Sequence, residues 1–332
     1  MPIFQWPTGP REEDIPEGEI LAQKYRVERV LGAGGMGVVV QVTPLVGEGV
    51  FALKFLRPSV ARDALAAKRF RREAEAARRI QNPHVVQIPD VGELASGAPY
   101  LLMEYLAGST LEARLAGGQS LPVEQACDYA LQVALGLAAA HAMGVVHRDI
   151  KPANLYLTPG ADGAELLKIV DFGVSKILDP EGPGGPSLTR TQTTIGSPLY
   201  MSPEQMRSAR SADFRTDQWS LGAVLYRMVT GHLPFDAKSL PRLCVQVLEG
   251  DFVPVATRCP ELPADLPPVV ERCLRVVPAE RYADVGELAF ALAPFAGPSG
   301  PERAERCRAI LAAGKRPTGA VVPAVGSTEP TS

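Results

Sequence analysis

The run His147-Arg148-Asp149-Ile150-Lys151-Pro152-Ala153-Asn154, followed one short hairpin later by Asp171-Phe172-Gly173, constrains this chain more than any other feature. Asp149 can accept a proton from an attacking hydroxyl. Lys151 can neutralise a transferring phosphoryl group. Asn154 and Asp171 offer oxygen ligands of the kind a hard divalent cation prefers. Four polar roles fall within 23 positions, and the fold has to bring them to one place.

At 332 residues the chain exceeds what one compact core holds, so two lobes or domains are expected. A net charge of −3 argues against a dominant nucleic-acid role. The cysteines (Cys127, Cys244, Cys259, Cys273, Cys307) are scattered and form no C-x-x-C. That pattern predicts reduced thiols in a cytoplasmic setting, not a disulfide framework or a zinc site. The opening Met1-Pro2-Ile3-Phe4-Gln5-Trp6 lacks the basic and apolar regions of a signal peptide. No segment reaches the roughly 18 apolar residues that cross a bilayer. The most apolar stretch, 130–146, is broken by Gln132 and His141 and reads as a buried helix.

Residues 1–20 carry Pro2, Pro7, Pro10 and Pro16 and read as an extended leader. Segments 25–30, 38–42, 50–56, 85–92 and 100–104 have strand character, and 63–80 reads as one helix. After Gly108 the pattern turns helical: a short helix capped near Ser109-Thr110, a long one over 121–143, then others near 216–230, 239–249, 266–275 and 284–295. Beyond Pro294 the composition shifts to Pro, Gly, Ala and Ser. There 301–313 is amphipathic, and 314–332 has the character of a disordered tail.

Gly32-Ala33-Gly34-Gly35-Met36-Gly37-Val38-Val39 lies between two strands, where glycines let a backbone approach phosphates closely. Alone it is equally a Gly-rich hairpin. Lys54 ends the apolar strand Phe51-Ala52-Leu53-Lys54; a snorkelling edge lysine is a common alternative there, but its distance from the Gly-rich loop favours a functional role. Together with the 147–154 and 171–173 runs, these motifs resemble the bacterial eukaryotic-like serine/threonine protein kinases, over about residues 25–295.

The resemblance implies an α+β, bilobal protein-kinase-like fold, with a small β-rich N-lobe holding one main helix and a larger, mainly α-helical C-lobe. On this chain the lobes fall at 21–106 (N-lobe) and 107–296 (C-lobe), between the leader (1–20) and a Pro/Gly/Ala-rich tail (297–332) expected to be largely disordered. It implies ATP and Mg2+ as cofactors, protein substrates, a possible homodimer, and transfer of the γ-phosphoryl group to Ser/Thr hydroxyls with autophosphorylation.

By resemblance, Asp149 is the base, Lys151 and Lys54 are the phosphate-neutralising cations, and Asn154 and Asp171 are the metal ligands. Glu73 is the helix partner of Lys54; Glu75 points about 200° away on the same helix. Leu31, Gly32, Gly34, Gly37, Val39, Ala52, Met103, Glu104, Leu106 and Tyr156 would line the nucleotide site, with an aromatic at 156 where the family commonly has an aliphatic residue. Thr189, Thr191, Thr193 and Thr194 are candidate phosphosites whose phosphate would pair with Arg148; the first two match best by offset. Ser197 stands where the family usually has Thr, and Ser202 replaces a frequent Ala. Glu204 would pair with Arg281, and Asp217 would brace the catalytic loop. A nucleotide-binding pseudokinase or scaffold is the alternative, which the complete catalytic set opposes. Small-molecule kinases of related fold usually lack Lys151-Pro152 and Ser202-Pro203-Glu204, both present here.

Overall fold

The computed structural model describes residues 15–35, 37–160, 163–171, 198–208 and 212–314. The small lobe is an antiparallel six-stranded sheet of β1 (Ile20–Leu21), β2 (Tyr25–Ala33), β3 (Gly37–Pro44), β4 (Phe51–Leu56), β5 (Asp90–Glu93) and β6 (Pro99–Glu104), ordered β1-β2-β3-β4-β6-β5. Alternation along the strands splits its side chains between two clusters. Val38, Val40, Val42, Leu53 and Phe55 pack on the outer face with Tyr25 and Tyr100. Val39, Ala52 and Leu56 face the main core. In register, Val39 stands opposite Lys54 and Ala52 opposite Met103, so one sheet face carries a cation beside apolar residues.

After α1 (Pro58–Ala61), α2 (Ala64–Arg78) covers this sheet. Asp63 caps it by accepting from the amides of Leu65 and Ala66. Ala66, Phe70, Ala74 and Ala77 recur at helical spacing and form its buried stripe. The strand expected over 85–92 is shorter, Asp90–Glu93. Residues 84–86 are drawn into the lobe junction instead, where Val85 bridges Ile169 in parallel.

The large lobe begins with β7 (Ser109–Thr110), α3 (Leu111–Arg114) and α4 (Val123–Ala142), followed by the hairpin β8 (Leu155–Pro159) and β9 (Glu165–Ile169). Then come α5 (Pro203–Arg207), α6 (Arg215–Thr230), α7 (Leu240–Glu249), α8 (Val255–Arg258), α9 (Leu266–Cys273), α10 (Val285–Leu292) and α11 (Gly300–Gly314). α6 is the buried spine, with Trp219 stacked on Phe235 at 5.4 Å and 6°. It stops at Gly231, whose φ of 72° suits glycine, and where a Cβ would lie 2.3 Å from the Gly118 carbonyl.

The amphipathic stretch 301–313 forms α11, so packed structure runs past residue 296. α11 buries Ala304, Cys307 and Leu311 against α4 and α10, because its small residues let the helices approach closely. Residues 1–14 and 315–332 lie outside the described residues. No described helix is long and apolar enough to cross a membrane.

Candidate active site

The 147–154 loop is held by one buried carboxylate. Asp217, in the first turn of α6, accepts from the amides of His147 at 2.9 Å and Arg148 at 2.7 Å, and from His141 Nε2 at 2.8 Å. Burial pushes its carboxyl up, but the His141 and backbone hydrogen bonds outweigh that and hold it below the usual range. The bracing is needed because Arg148 adopts a left-handed φ of 66° and Asp171 one of 61°. Such positions cost about 1–3 kcal/mol each in side-chain-bearing residues. The His147 ring is buried, which lowers its pKa and keeps it neutral. Its Nδ1 accepts from the Asp149 amide at 3.2 Å, so Nε2 carries the hydrogen and donates to the Val170 carbonyl at 3.2 Å.

Asp149, Lys151 and Asn154 meet directly. Lys151 Nζ lies 2.8 Å from Asp149 Oδ2, and Asn154 Nδ2 donates to the same oxygen at 3.0 Å and to the Asp149 carbonyl at 2.8 Å. The Val170 amide donates to the Asn154 carbonyl at 2.9 Å, which sets Asp171 beside the loop. Asn154 commits its amide hydrogens to Asp149, so its side-chain oxygen is the ligand it offers a cation. Among the described residues no three His, Cys, Asp or Glu side chains cluster as a metal cage. An oxygen pair from Asn154 and Asp171, completed by phosphate and water, is the donor set magnesium accepts.

Lys54 does not meet Glu73. Its ammonium lies 2.7 Å from Asp171 Oδ1, with both side chains buried. Glu73 Oε2 is buried with no hydrogen-bond partner among the described residues, and burial pushes the carboxyl up to about 7 against the pull of Arg72, Arg148 and Arg69. The expected Lys54–Glu73 pair is therefore replaced. Lys54 is not among the charges that act on Glu73, and Asp171 is the nearer anion. A folded-state pKa raised above the ordinary 4.5 means the folded protein holds this proton more tightly. Stability then falls as pH rises between those values and levels off above about 7. Glu73→Gln should raise stability by about 1–2 kcal/mol at pH 8, after discounting for solvent on its exposed side, and change little at pH 4. Thermal unfolding at both pH values checks it; equal shifts would count against it.

An apolar cleft, open to solvent on one side, adjoins these groups. Leu31, Val39 and Ala52 line it from the small lobe, Met103, Glu104, Tyr105 and Leu106 along the connecting strand end, and Tyr156 and Val170 from the large lobe, with Asp171 at one end. Tyr156 donates its hydroxyl to the Gly108 carbonyl at 3.0 Å. Val86, Tyr105 and Val170 join the expected lining residues. Val170 was reachable as the neighbour of Asp171; Val86 had no local signal. Gly32, Gly34 and Gly37 sit at the β2–β3 hairpin and not in the cleft wall. The Gly34 amide donates to the Gly37 carbonyl at 2.9 Å, and a Cβ at Gly37 would come within 2.4 Å of the Phe55 carbonyl. Gly37 is thus required by the approach of β3 to β4.

Glu204 and Arg281 form the expected pair, bidentate at 2.7 and 2.8 Å. Arg281 also lies 5.0 Å over the Trp219 ring. Gln205, which sequence reasoning passed over, donates to the Arg148 carbonyl at 2.9 Å and completes a capping box with Ser202. Phe172, Gly173, Thr189, Thr191, Thr193, Thr194 and Ser197 lie outside the described residues.

A two-lobed fold with an apolar cleft at the junction, whose wall includes Asp171, itself paired with Lys54 and set beside the loop of Asp149, Lys151 and Asn154, defines a protein kinase. A model of the protein kinase domain matches residues 25–288, and the chain belongs to that family. It is 37% identical over 267 residues to serine/threonine-protein kinase pkn3 of Myxococcus xanthus, covering 80% of this chain and 48% of that protein. To serine/threonine-protein kinase PknB of Mycobacterium tuberculosis it is 35% identical over 271 residues, covering 81% of this chain and 42% of that protein. The chain thus spans less than half the length of these curated relatives. The crystal structure of the M. tuberculosis PknI kinase domain superposes with a TM-score of 0.66 at 29% identity, covering 85% of this chain and 99% of that one.

Proposed function

We propose that the chain transfers the γ-phosphoryl group of MgATP to serine or threonine hydroxyls of protein substrates, its own activation segment included. The observation that carries this reading is the contact set Lys151–Asp149–Asn154, linked through Val170 to Asp171 and Lys54 at the end of the apolar cleft.

Adenine fits the cleft, where its rings replace water against Leu31, Val39, Ala52 and Tyr156. Asp149 Oδ2 orients the acceptor hydroxyl and takes its proton as the O–P bond forms. Lys151 holds that carboxylate in place and balances charge on the equatorial phosphoryl oxygens. Lys54 exchanges its partner in the free protein, Asp171, for the α- and β-phosphates. Asn154 and Asp171 would hold magnesium, which draws charge off the phosphates when bound. Reduced cysteines and the supply of ATP favour a cytoplasmic site of action.

The Lys54–Asp171 contact also favours a second reading, a nucleotide-binding protein without turnover, because it ties up two groups the reaction needs. Incubation with MgATP and a generic basic acceptor protein, followed by intact mass and phosphoamino-acid analysis, separates the two. Phosphoserine or phosphothreonine is expected. Nucleotide binding without a mass increase on either protein would leave only the second reading.

A further inference from the structure

β9 leads directly into Asp171, yet it is the edge strand of its sheet. Its outer side is finished by groups from elsewhere. The Ile169 amide donates to the His84 carbonyl at 2.9 Å, and the Ile169 carbonyl accepts from the Val86 amide at 3.0 Å. The Leu167 carbonyl meets His84 Nδ1 at 3.0 Å, and the Leu167 amide donates to Gln132 Oε1 at 2.7 Å. Gln132 is 1% exposed on the most apolar stretch of the chain, within α4. A primary amide there can face Leu167 either way round, and only the oxygen satisfies an N–H. Its orientation is decided behind it. Gln132 Nε2 donates to Asp128 Oδ2 at 2.8 Å and, over a longer 3.5 Å, to the Glu165 carbonyl; both partners accept only. Asp128 is in turn held by Arg303 at 3.3 Å and Ser299 at 3.5 Å. Arg303 belongs to α11, beyond the matched kinase domain.

We propose that Arg303, Asp128 and Gln132 form a positioning relay that fixes the register of β9 and so places Asp171 for metal–nucleotide binding. The helix beyond the family domain is then part of the catalytic unit. Without Asp128, the Gln132 amide is free to turn its NH2 group toward the Leu167 N–H, which puts two donors face to face in a buried site. The end of the strand shifts, and the first functional group to feel it is the Asp171 carboxylate, two residues past Ile169.

The inference rests on the kinase reading, so the unsubstituted full chain is assayed first. If it transfers no phosphate, that reading fails, and hydrogen exchange at the Leu167 amide alone judges the relay. In an active protein, Gln132→Met and Asp128→Asn should each raise the magnesium concentration at half-maximal rate, by about tenfold and about threefold, the scale of one buried hydrogen bond. The rate at saturating magnesium should stay within about twofold. Hydrogen exchange at the Leu167 amide should speed up in both. The double variant should match Gln132→Met alone, because a relay cut once has nothing further to lose. If Gln132→Met does not fold, Asp128→Asn alone carries the test. Unchanged magnesium dependence and unchanged Leu167 exchange would overturn the relay, as would effects that multiply in the double variant.

Discussion

Asp149→Asn should lower the turnover rate by about a thousandfold, within the range for losing a positioned general base, while nucleotide affinity stays within a few-fold. Asparagine keeps the shape and can still accept from Lys151 and Asn154, which bond Asp149 Oδ2 at 2.8 and 3.0 Å. It cannot take the hydroxyl proton. The separation of rate from affinity is the useful part. A loop that had collapsed would lose both, and thermal unfolding reports collapse independently. Transfer within tenfold of the unsubstituted protein would remove Asp149 from the role of base.

The second large effect falls on stability. Arg281→Met should cost about 3–5 kcal/mol, because it leaves the Glu204 carboxylate without its bidentate partner. Burial alone pushes Glu204 up; it is held below the usual range mainly by the Arg281 hydrogen bonds and charge. The same guanidinium donates to the carbonyls of Arg215 and Arg275 and lies over Trp219, so its loss also loosens the start of α6. That is where Asp217 holds the catalytic loop. A fall of about 10 °C in melting temperature is expected for a domain of this size. Pairing the change with Glu204→Gln should recover part of the loss, since the stranded charge goes with it. A melting temperature within about 2 °C of the unsubstituted protein would contradict the account.

What was legible in the sequence follows from distance along the chain. Asp149, Lys151 and Asn154 lie within one loop, so their spacing alone nearly dictates that they meet. Val39 and Ala52 were placed at the nucleotide site only through the family resemblance; strand alternation says which residues share a face, not which face borders the cleft. Glu204 and Arg281 were paired only through the family resemblance; nothing local links positions 77 apart. Glu73 shows the limit. Helical geometry separated it from Glu75, but the partner of Lys54 depends on burial and on which anion stands nearer. Those are properties of the assembled cleft. Gln132 showed only as a polar break in an apolar stretch, and Gln205 and Val86 gave no signal, for a related reason: each bonds backbone groups of a distant segment, and those leave no trace in residue identity.

The contact between Lys54 and Asp171 has a consequence for what enters the cleft. In the resting molecule each charge already answers the other. An uncharged flat heterocycle can slide between Val39 and Tyr156 and leave that couple intact. A triphosphate arrives with charges of its own and has to separate the two before it seats. Small neutral competitors therefore start with an advantage that grows as the couple tightens.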